Sequence, residues 1–420
     1  MFLRSIFLPV PEPLTSARQG GRYDPAMARL ARLTAYHVRI PLKTTIRHAS
    51  HARRSTDSLI VRCELQDGTI GWGEGLPREY VTGETIDAAF PLLQATPLAE
   101  QLGTELSSLP DAIAMCETLR LTRPTDDPRD CFGNSIRCAV ELSVLDAACR
   151  HFEQPLSEVT RLYGPAAGIR QKQDRVRYSA VITSSSARKQ WIKSWLIRLY
   201  GFHQTKVKVG TEGIDDEATL RRVRGILGNA IDVRLDANEA WSCGNLEAKL
   251  APLLPFGISS VEQPVPHEEV RGLSELRGKL PVPIMHDESL CSLEDARQAI
   301  ECGTCDLFNI RLSKCGGLLP SLQITAAAHQ AGLGYQLGCQ VGETGILSAA
   351  GRHFASSVAD IRFLEGSYDR FLVKERLTQE DLTFGRGGSA PALAEPGLGV
   401  TVDERRLQGV TLGMQEIAVA

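Results

Sequence analysis

Three carboxylates recur at even intervals in the middle of the chain, each at the end of a short β-rich run. The step from Asp236 to Glu262 and the step from Glu262 to Asp287 are almost equal, and each has the length of one βα unit. Adjacent parallel strands would bring the three side chains to one point, where like charges repel unless a cation lies between them. Hard carboxylate oxygens without clustered His or Cys favour Mg²⁺, with Mn²⁺ as the second choice. The spacing therefore predicts a divalent metal site.

Lysines bracket these acids on both sides. Lys206 and Lys208 end the run that lies one unit before the first acid, and Lys314 ends the run that lies one unit after the last acid. Strand alternation places Lys206 and Lys208 on one face, pointing into a barrel. A lysine is a base only when neutral, and nearby cations disfavour its charged form. The set predicts removal of a proton next to a carboxylate, with the metal ion and Lys206 stabilising the resulting enediolate.

The elements that must hold these residues form a regular series. Eight β-rich runs alternate with helix-like stretches, at 177–183, 204–210, 232–238, 258–264, 283–289, 307–314, 334–339 and 361–366. Eight such units predict an α/β fold, a (β/α)₈ TIM-type barrel, with an open doubly wound sheet as the alternative. No GxGxxG run opens a helix after any strand, which disfavours the open sheet.

Residues before and after the barrel predict a second, smaller domain. Runs at 33–40, 57–66 and 68–74 predict a strand meander, and 134–152 an amphipathic helix. We expect four segments: a disordered or extended tail at 1–27, an α+β capping domain at 28–160, the barrel at 161–385, and a C-terminal segment at 386–420. That last segment should return to the capping domain through strands at 399–402 and 410–413.

Composition narrows the class of protein. The formal net charge of -3 creates no field that favours nucleic acid or an anionic membrane. No apolar stretch approaches the ~20 residues of a membrane span, and no signal peptide is evident. The 11 cysteines, an odd number, fit a reducing, cytoplasmic setting. Cys302 and Cys305 have CxxC spacing, which we interpret as small residues between a helix and a strand rather than a redox or zinc pair.

The motifs around these residues resemble the enolase superfamily, in particular its muconate lactonizing enzyme subgroup. They are Lys206-Val207-Lys208, Asp236-Ala237-Asn238, Glu262-Gln263-Pro264, Asp287-Glu288-Ser289 and Lys314 with Gly316-Gly317. The resemblance implies the three acids as Mg²⁺ ligands and Lys208 and Lys314 as bases on opposite faces of the substrate carbon. It places Lys206 beside the enolate and implies a capping domain whose loops close over a small carboxylate substrate.

Substrate contacts are expected from the ends of the seventh and eighth strands. Residues 77–85 resemble the capping loop of dipeptide epimerases, which carry an Asp-x-Asp pair at the eighth strand for a substrate ammonium. Here only Glu365 and Asp369 could replace that pair. Gln340 and Glu343 are further candidates, with a helix-start acid as the equal alternative for Glu343.

A basic loop follows the first strand of the capping domain. Arg47 or Arg53 could bind a distal carboxylate of the substrate, with a solvated basic loop as the alternative. His48 and His51 resemble a metal pair in spacing only, since no carboxylate lies near them in sequence.

The expected reaction is proton transfer at one carbon, as in a racemase or epimerase of N-acylamino acids or dipeptides. A muconate-type cycloisomerase and an o-succinylbenzoate synthase-like dehydratase use the same lysine pair and remain alternatives. A non-catalytic metal-binding barrel and a phosphate-binding barrel enzyme, with an anion site at 338–345, are rivals from other classes. Relatives of this kind lead us to expect a homo-oligomer.

Overall fold

The computed structural model describes residues 27–47, 52–123, 126–183 and 186–419. The expected tail, apart from Met27, lies outside the described residues, as do His48, His51 and the side chain of Arg47. No helix in the described part is long and apolar enough to cross a membrane.

A four-stranded antiparallel sheet forms the base of the capping domain. Its strands, in the order β14-β1-β2-β3, are β1 (Leu30–Arg47), β2 (Ala52–Leu65), β3 (Ile70–Gly75) and β14 (Thr411–Ala418). Because β14 pairs with β1, the end of the chain returns to this sheet. The predicted strand at 410–413 is the start of β14, whereas 399–402 contributes only an isolated bridge at Val402.

Eight parallel strands form the barrel. They are β5 (Ala180–Ile182), β6 (Gln204–Lys208), β7 (Asp232–Asp236), β8 (Val261–Glu262), β9 (Ile284–His286), β10 (Leu307–Ile310), β11 (Gly334–Leu337) and β12 (Ile361–Leu364), paired in chain order. The Ser179 amide donates to the Leu364 carbonyl at 2.7 Å, which joins the last strand to the first. The predicted barrel with a capping domain is confirmed, although each ladder is shorter than its predicted run because the polar run ends leave the sheet.

A separate two-stranded ladder lies beside the barrel. It pairs β4 (Arg175–Arg177) with β13 (Ser389–Pro391) in antiparallel fashion. The first predicted run, at 177–183, therefore combines the end of β4 with the barrel strand β5, since Tyr178 and Ser179 interrupt the ladder.

Helices surround the barrel and fill the capping domain. They are α1 (Glu79–Thr82), α2 (Ala89–Ala95), α3 (Leu98–Leu102), α4 (Leu109–Thr118), α5 (Asn134–His151), α6 (Ser157–Leu162), α7 (Ala187–Tyr200), α8 (Asp216–Leu227), α9 (Leu246–Leu250), α10 (Leu273–Leu276), α11 (Leu293–Cys302), α12 (Leu318–Gln330), α13 (Gly345–Ser357), α14 (Asp369–Leu372) and α15 (Glu404–Val410). Short 3₁₀ helices span Ile86–Ala88, Gly164–Ile169, Ala251–Phe256, His267–Gly272 and Arg386–Gly388. Cys302 ends α11 and the buried Cys305 precedes β10, so the pair lies between a helix and a strand, as we interpreted it.

Alternating glycines let α5 lie directly on β3. A Cβ on Gly73 would stand 2.0 Å from the Ala139 carbonyl oxygen, and one on Gly75 would stand 1.8 Å from the Ser135 carbonyl oxygen. Every residue of α5 from 134 to 149 is buried. The helix occurs where the sequence predicts it, but the expected amphipathic character is wrong because α5 is enclosed on all sides.

Two buried carboxylates of the capping domain sit at the N-termini of barrel helices. Glu74, at the end of β3, accepts hydrogen bonds of 3.0 Å from the amides of Thr344 and Leu347 at the start of α13. Glu141, in α5, accepts one of 3.0 Å from the Leu319 amide at the start of α12. Helix N-termini favour negative charge. These contacts orient the capping domain over the barrel mouth.

Candidate active site

The predicted acids and lysines meet where the barrel strands end. The register of the sheet places Lys208 opposite Asp236, and Asp236 opposite Glu262. The Lys206 ammonium lies 3.2 Å from an Asp236 carboxylate oxygen and 3.1 Å from a Glu262 oxygen. Lys206, Asp236 and Glu262 are almost fully buried. One half of the expected cluster is therefore assembled around Lys206.

The other half is built around Asp287, which directly follows β9. The Lys314 ammonium donates to the Asp287 carboxylate at 2.8 Å and also to its backbone carbonyl. The Arg311 guanidinium contacts the same carboxylate and lies 3.8 Å from a Glu262 oxygen. Asn309 donates to Glu262 at 2.8 Å. The two halves are thus joined through Glu262 and Arg311, and all six predicted residues share one site.

Lys208 and Lys314 lie on opposite flanks of the three acids. Lys208 ends β6, two strands before β8, whereas Lys314 follows β10, two strands after β8. The Lys208 ammonium donates to the Asn238 side chain and lies 4.0 Å from Asp236. A ligand held at the acids would therefore have one lysine on each side.

The backbone is unusual at two adjacent strand ends. Asn238 and Gln263 have φ angles of 44° and 38°, in the left-handed region that residues other than glycine rarely adopt. The Gln263 side chain accepts from the Asp287 amide at 2.8 Å and donates to the Ser289 hydroxyl at 2.7 Å. Strained residues of this kind cluster at functional sites because the surrounding structure must hold them.

Burial and close pairing set the electrostatics of the cluster. Burial raises the pKa of Glu262 to about 8, against the opposing effect of Lys206, and the neighbouring carboxylates add to the rise. Burial also acts to raise the pKa of Asp287, but Arg311 and Lys314 hold it far below its usual range. Burial lowers the pKa of Lys314, yet the Asp287 carboxylate outweighs this and leaves it raised.

The donor chemistry of the trio suits a hard divalent cation. Among the residues described, no group of three or more His, Cys, Asp or Glu side chains has a metal-holding arrangement, because each acid faces a basic side chain. The trio nevertheless supplies only oxygen donors, which Mg²⁺ prefers. Burial is the largest cause of the raised pKa of Glu262, and a cation beside its carboxylate would oppose that effect. The residues therefore fit Mg²⁺ once the basic side chains give way.

The two acids expected near the eighth strand have different surroundings. The Glu365 carboxylate lies 3.0 Å from the Lys206 ammonium and also contacts Arg234, inside the barrel. Asp369 lies apart from the cluster, buried at the start of α14 with a carboxylate oxygen 3.4 Å from Arg376 Nε. The structure brings Glu365 to the predicted site and leaves Asp369 outside it.

Gln340 and Glu343 lie in the loop between β11 and α13. The Glu343 carboxylate accepts a hydrogen bond of 2.6 Å from the Gln340 amide, and burial raises the pKa of Glu343 to about 8. Arg78, from the capping domain, donates to the Val341 carbonyl at 3.2 Å. Hydrogen bonds therefore hold this loop both internally and to the capping domain.

The predicted capping loop at 77–85 packs over the barrel loop that follows Asp287. Val81 lies in a small apolar cluster with Cys131 and Cys291, and Tyr80 packs against that cluster. The Arg53 guanidinium stacks over the Tyr80 ring at 5.1 Å. The loop thus lies against the barrel loop that follows Asp287, and Arg53 of β2 lies beside it.

Sequence reasoning missed two basic residues of the site, Arg311 and Arg234. A signal for Arg311 was present, because alternation along the run that precedes Lys314 puts Asn309 and Arg311 on one face. Arg234 shares a face of β7 with Asp236 by the same rule. Arg234 is fully buried, and an arginine is seldom buried without a partner, which in this case lies far away in the sequence.

A family model described as enolase C-terminal domain-like matches residues 191–406, just over half of the chain. The chain belongs to the enolase superfamily. It is 27% identical over 386 residues to the N-succinyl-L-Arg/Lys racemase of Bacillus cereus, covering 91% of this chain and 98% of that protein. It is 31% identical over 300 residues to the D-Ala-D/L-Ala epimerase of Cytophaga hutchinsonii, covering 71% and 75%.

Solved structures agree with this assignment to the enolase superfamily. The dipeptide epimerase from Cytophaga hutchinsonii, complexed with Mg and the dipeptide D-Ala-L-Val, matches with a TM-score of 0.78 and 26% identity. The match covers 93% of this chain and 100% of that chain. Because these relatives of the enolase superfamily are racemases and epimerases, the predicted isomerase class is confirmed.

Proposed function

We propose that this protein is a Mg²⁺-dependent racemase or epimerase that moves the α-proton of an N-acylated amino acid. The observation that carries the proposal is the position of Lys208 and Lys314 on opposite flanks of the acid trio. A planar enediolate between them has one lysine at each face. One lysine removes the proton and the other returns a proton to the opposite face, which inverts the carbon.

Asp236, Glu262 and Asp287 are the proposed Mg²⁺ ligands, because they offer oxygen donors at three adjacent strand ends. When bound, the ion would supply positive charge for the carboxylate of the substrate and of the enediolate. Lys206 adds fixed positive charge beside two of these acids, and its burial makes that charge more effective than it would be in water.

The proposed substrate has an acylated rather than a free amino group. A substrate ammonium would have to replace Lys206 and Arg234 at Glu365, or Arg376 at Asp369, whereas an acylated amino group makes no such demand. Relatives of both kinds exist, since one acts on N-succinyl amino acids and another on D-Ala-D/L-Ala. Epimerisation of free dipeptides is therefore the second candidate.

Arg53 supports an acyl group that carries its own carboxylate, such as succinyl. Its guanidinium lies over the ring of Tyr80 in the capping loop, which packs on the barrel loop that follows Asp287. An arginine binds a carboxylate through two parallel hydrogen bonds. We expect Arg53→Met to raise KM for N-succinyl substrates more than for N-acetyl substrates of the same amino acid.

Deuterium exchange at the α-carbon in D₂O tests the two-base proposal. We expect Lys208→Ala to abolish exchange from one enantiomer of an N-succinyl amino acid and Lys314→Ala to abolish exchange from the other. Lys279→Ala, an exposed lysine outside the site, is the matched control. Exchange from both enantiomers in both variants would contradict the proposal. Faster exchange with free dipeptides would favour the second candidate, and lactone formation from muconate would favour a cycloisomerase.

A further inference from the structure

Two cysteines from different domains meet beside the candidate active site. Cys131 lies in the loop at 126–133, which leads into α5 of the capping domain, and Cys291 lies in the barrel loop between Asp287 and α11. Both belong to the small apolar cluster that includes Val81, and the two thiols hydrogen-bond each other. This contact joins the capping domain to the barrel.

The Cys291 thiol also contacts two backbone carbonyls. Its sulfur lies 3.6 Å from the Val81 carbonyl oxygen, in the capping loop, and 3.5 Å from the carbonyl oxygen of Glu288, the residue after Asp287. A thiol donates a hydrogen bond only while it keeps its hydrogen, so both carbonyls would lose this donor if Cys291 entered a disulfide. The chemical state of this sulfur therefore affects the capping loop and the loop that begins with Asp287.

Nearby groups favour the thiolate of Cys291, which is the form of a cysteine that reacts with oxidants. The hydrogen bond from Cys131 lowers the pKa of Cys291 against the opposing effect of burial, and Arg129 and Lys314 lower it further. The same hydrogen bond, together with burial, raises the pKa of Cys131. The pair therefore has one sulfur that ionises first and a protonated neighbour in contact with it.

Both cysteines lie in irregular loops rather than in helices or strands. A disulfide needs its sulfurs about 2 Å apart, closer than two thiols in contact, and a loop moves by such an amount more readily than a helix. Arg129 already joins the two loops, since its guanidinium donates to the Glu288 carbonyl and to Asp295, both at 2.8 Å. Cys131 is 5% exposed and Cys291 is fully enclosed, so an oxidant reaches the pair from the side of Cys131.

We propose that Cys131 and Cys291 form a reversible disulfide between the capping domain and the barrel, with a peroxide as the oxidant. The Cys291 thiolate attacks one peroxide oxygen, so that an S–O bond forms, the O–O bond breaks and hydroxide leaves. The Cys131 sulfur then attacks the Cys291 sulfur, so that the S–S bond forms, the S–O bond breaks and a second hydroxide leaves. The two thiol protons convert both hydroxides to water, and the two sulfurs supply the two electrons that the peroxide takes up.

The disulfide should lower the activity reversibly. The loop that it draws toward the capping domain begins with Asp287, and displacement of a site residue by about 1 Å can cost roughly 10²-fold in rate. In a reducing compartment such a disulfide is transient and serves to sense oxidants. The effect on activity rests on the proposed function, whereas formation of the disulfide does not.

Peptide mapping by mass spectrometry after treatment with hydrogen peroxide tests the disulfide without an activity assay. We expect a peptide pair linked through Cys131 and Cys291 that dithiothreitol separates, and no such pair in Cys131→Ser or Cys291→Ser. Cys243→Ser, which removes a half-buried thiol elsewhere, is the matched control and should still give the linked pair. Absence of the pair from the unmodified protein, at peroxide concentrations that oxidise the exposed Cys302, would overturn the proposal.

Kinetics on the same samples test the effect on activity. In the unmodified protein and in Cys243→Ser, we expect peroxide to lower kcat roughly tenfold or more and dithiothreitol to restore it. Cys131→Ser should show no loss that dithiothreitol restores. A linked pair with unchanged kcat would overturn the predicted effect on activity. If no N-acylated amino acid is turned over, the proposed function is wrong, and the peptide mapping still decides whether the disulfide forms.

Discussion

Buried carboxylates occupy two regions of this protein, and their partners differ. In the barrel centre Asp287 and Glu365 face lysine and arginine side chains. At the seam between the capping domain and the barrel, Glu74 accepts hydrogen bonds from backbone amides, and Glu141 does so in addition to pairing with Arg137. The carboxylates of both regions are buried, so each of them needs a close partner.

Partners that are side chains suit a reaction site, whereas partners that are backbone amides suit a structural contact. A lysine or arginine side chain can rotate away from a carboxylate when a metal ion or substrate arrives, at the cost of a few rotamer changes. A backbone amide at a helix start cannot move without unwinding the helix. The barrel centre can therefore exchange partners during a reaction, whereas the seam holds one arrangement.

The largest effect on activity should follow from breaking a pair in the barrel centre. We expect Lys314→Met to lower kcat by roughly 10²–10⁴-fold, the usual contribution of a general acid or base. Stability should change little, because Arg311 still compensates the Asp287 carboxylate. Steady-state kinetics and a thermal melt measure the two quantities. An active Lys314→Met would remove the basis for the two-base proposal.

The largest effect on stability should follow from breaking the seam. Glu74→Ala leaves the amides of Thr344 and Leu347 without their acceptor in a buried place, at roughly 1–3 kcal/mol each. We expect the free energy of unfolding in urea to fall by about 3 kcal/mol, while Glu247→Ala, at an exposed position of α9, changes it little. Equal losses of unfolding free energy in Glu74→Ala and Glu247→Ala would mean that the seam stabilises the protein no more than an exposed residue does.

Mg²⁺ should bind in the barrel centre and not at the seam, so only variants of the barrel centre should lose its stabilising effect. Magnesium at about 100 times its dissociation constant is expected to stabilise the folded protein by about 2.7 kcal/mol, measured as a thermal shift. Asp236→Asn should abolish that shift, whereas Glu74→Gln should keep it despite a lower starting melting temperature. A shift that survives Asp236→Asn would show that the ion binds elsewhere.

The barrel and its acids could be predicted because each depends on a short stretch of sequence. A brief apolar run that ends in a polar residue indicates a parallel strand whose last residue lies at the mouth of the barrel. Asp236 and Glu262 end two such runs, one βα unit apart. The glycine pair after Lys314 is part of the motif that resembles the enolase superfamily, and the structure shows why glycine is needed there. A Cβ on Gly317 would stand 2.4 Å from the Glu141 carboxylate, so the seam needs glycine there.

The remaining site contacts depend on partners that are distant in sequence. Arg234 lies on β7 and its partner Glu365 follows β12, and no local pattern announces a charged pair inside a barrel. The placement of Asp369 likewise depends on Arg376 in the following loop. Helix α5 shows the same limit, because its burial on all sides comes from elements that pack around it rather than from its own periodicity.

The smallest of these effects is a pH dependence of stability that belongs to the seam. Burial raises the pKa of Glu74 to about 7 in the folded protein, above the ordinary value of 4.5. The group then favours folding fully below pH 4.5, and this contribution is lost as pH rises through about 7. The stability difference between the unmodified protein and Glu74→Gln should therefore shrink from pH 5 to pH 8, by roughly 2 kcal/mol.

The half-buried carboxylate of Glu64 gives the opposite sign and serves as the control for Glu74. A hydrogen bond from Arg62 lowers the pKa of Glu64, so its contribution is present above pH 4.5 and is lost only as the pH falls below that value. Between pH 5 and pH 8 the difference between the unmodified protein and Glu64→Gln should stay constant. If Glu74→Gln also gives a constant difference, Glu74 is ionised throughout this range. The amides at the start of α13 then stabilise its charge more than burial opposes it, and the seam would resemble the barrel centre in holding full charges.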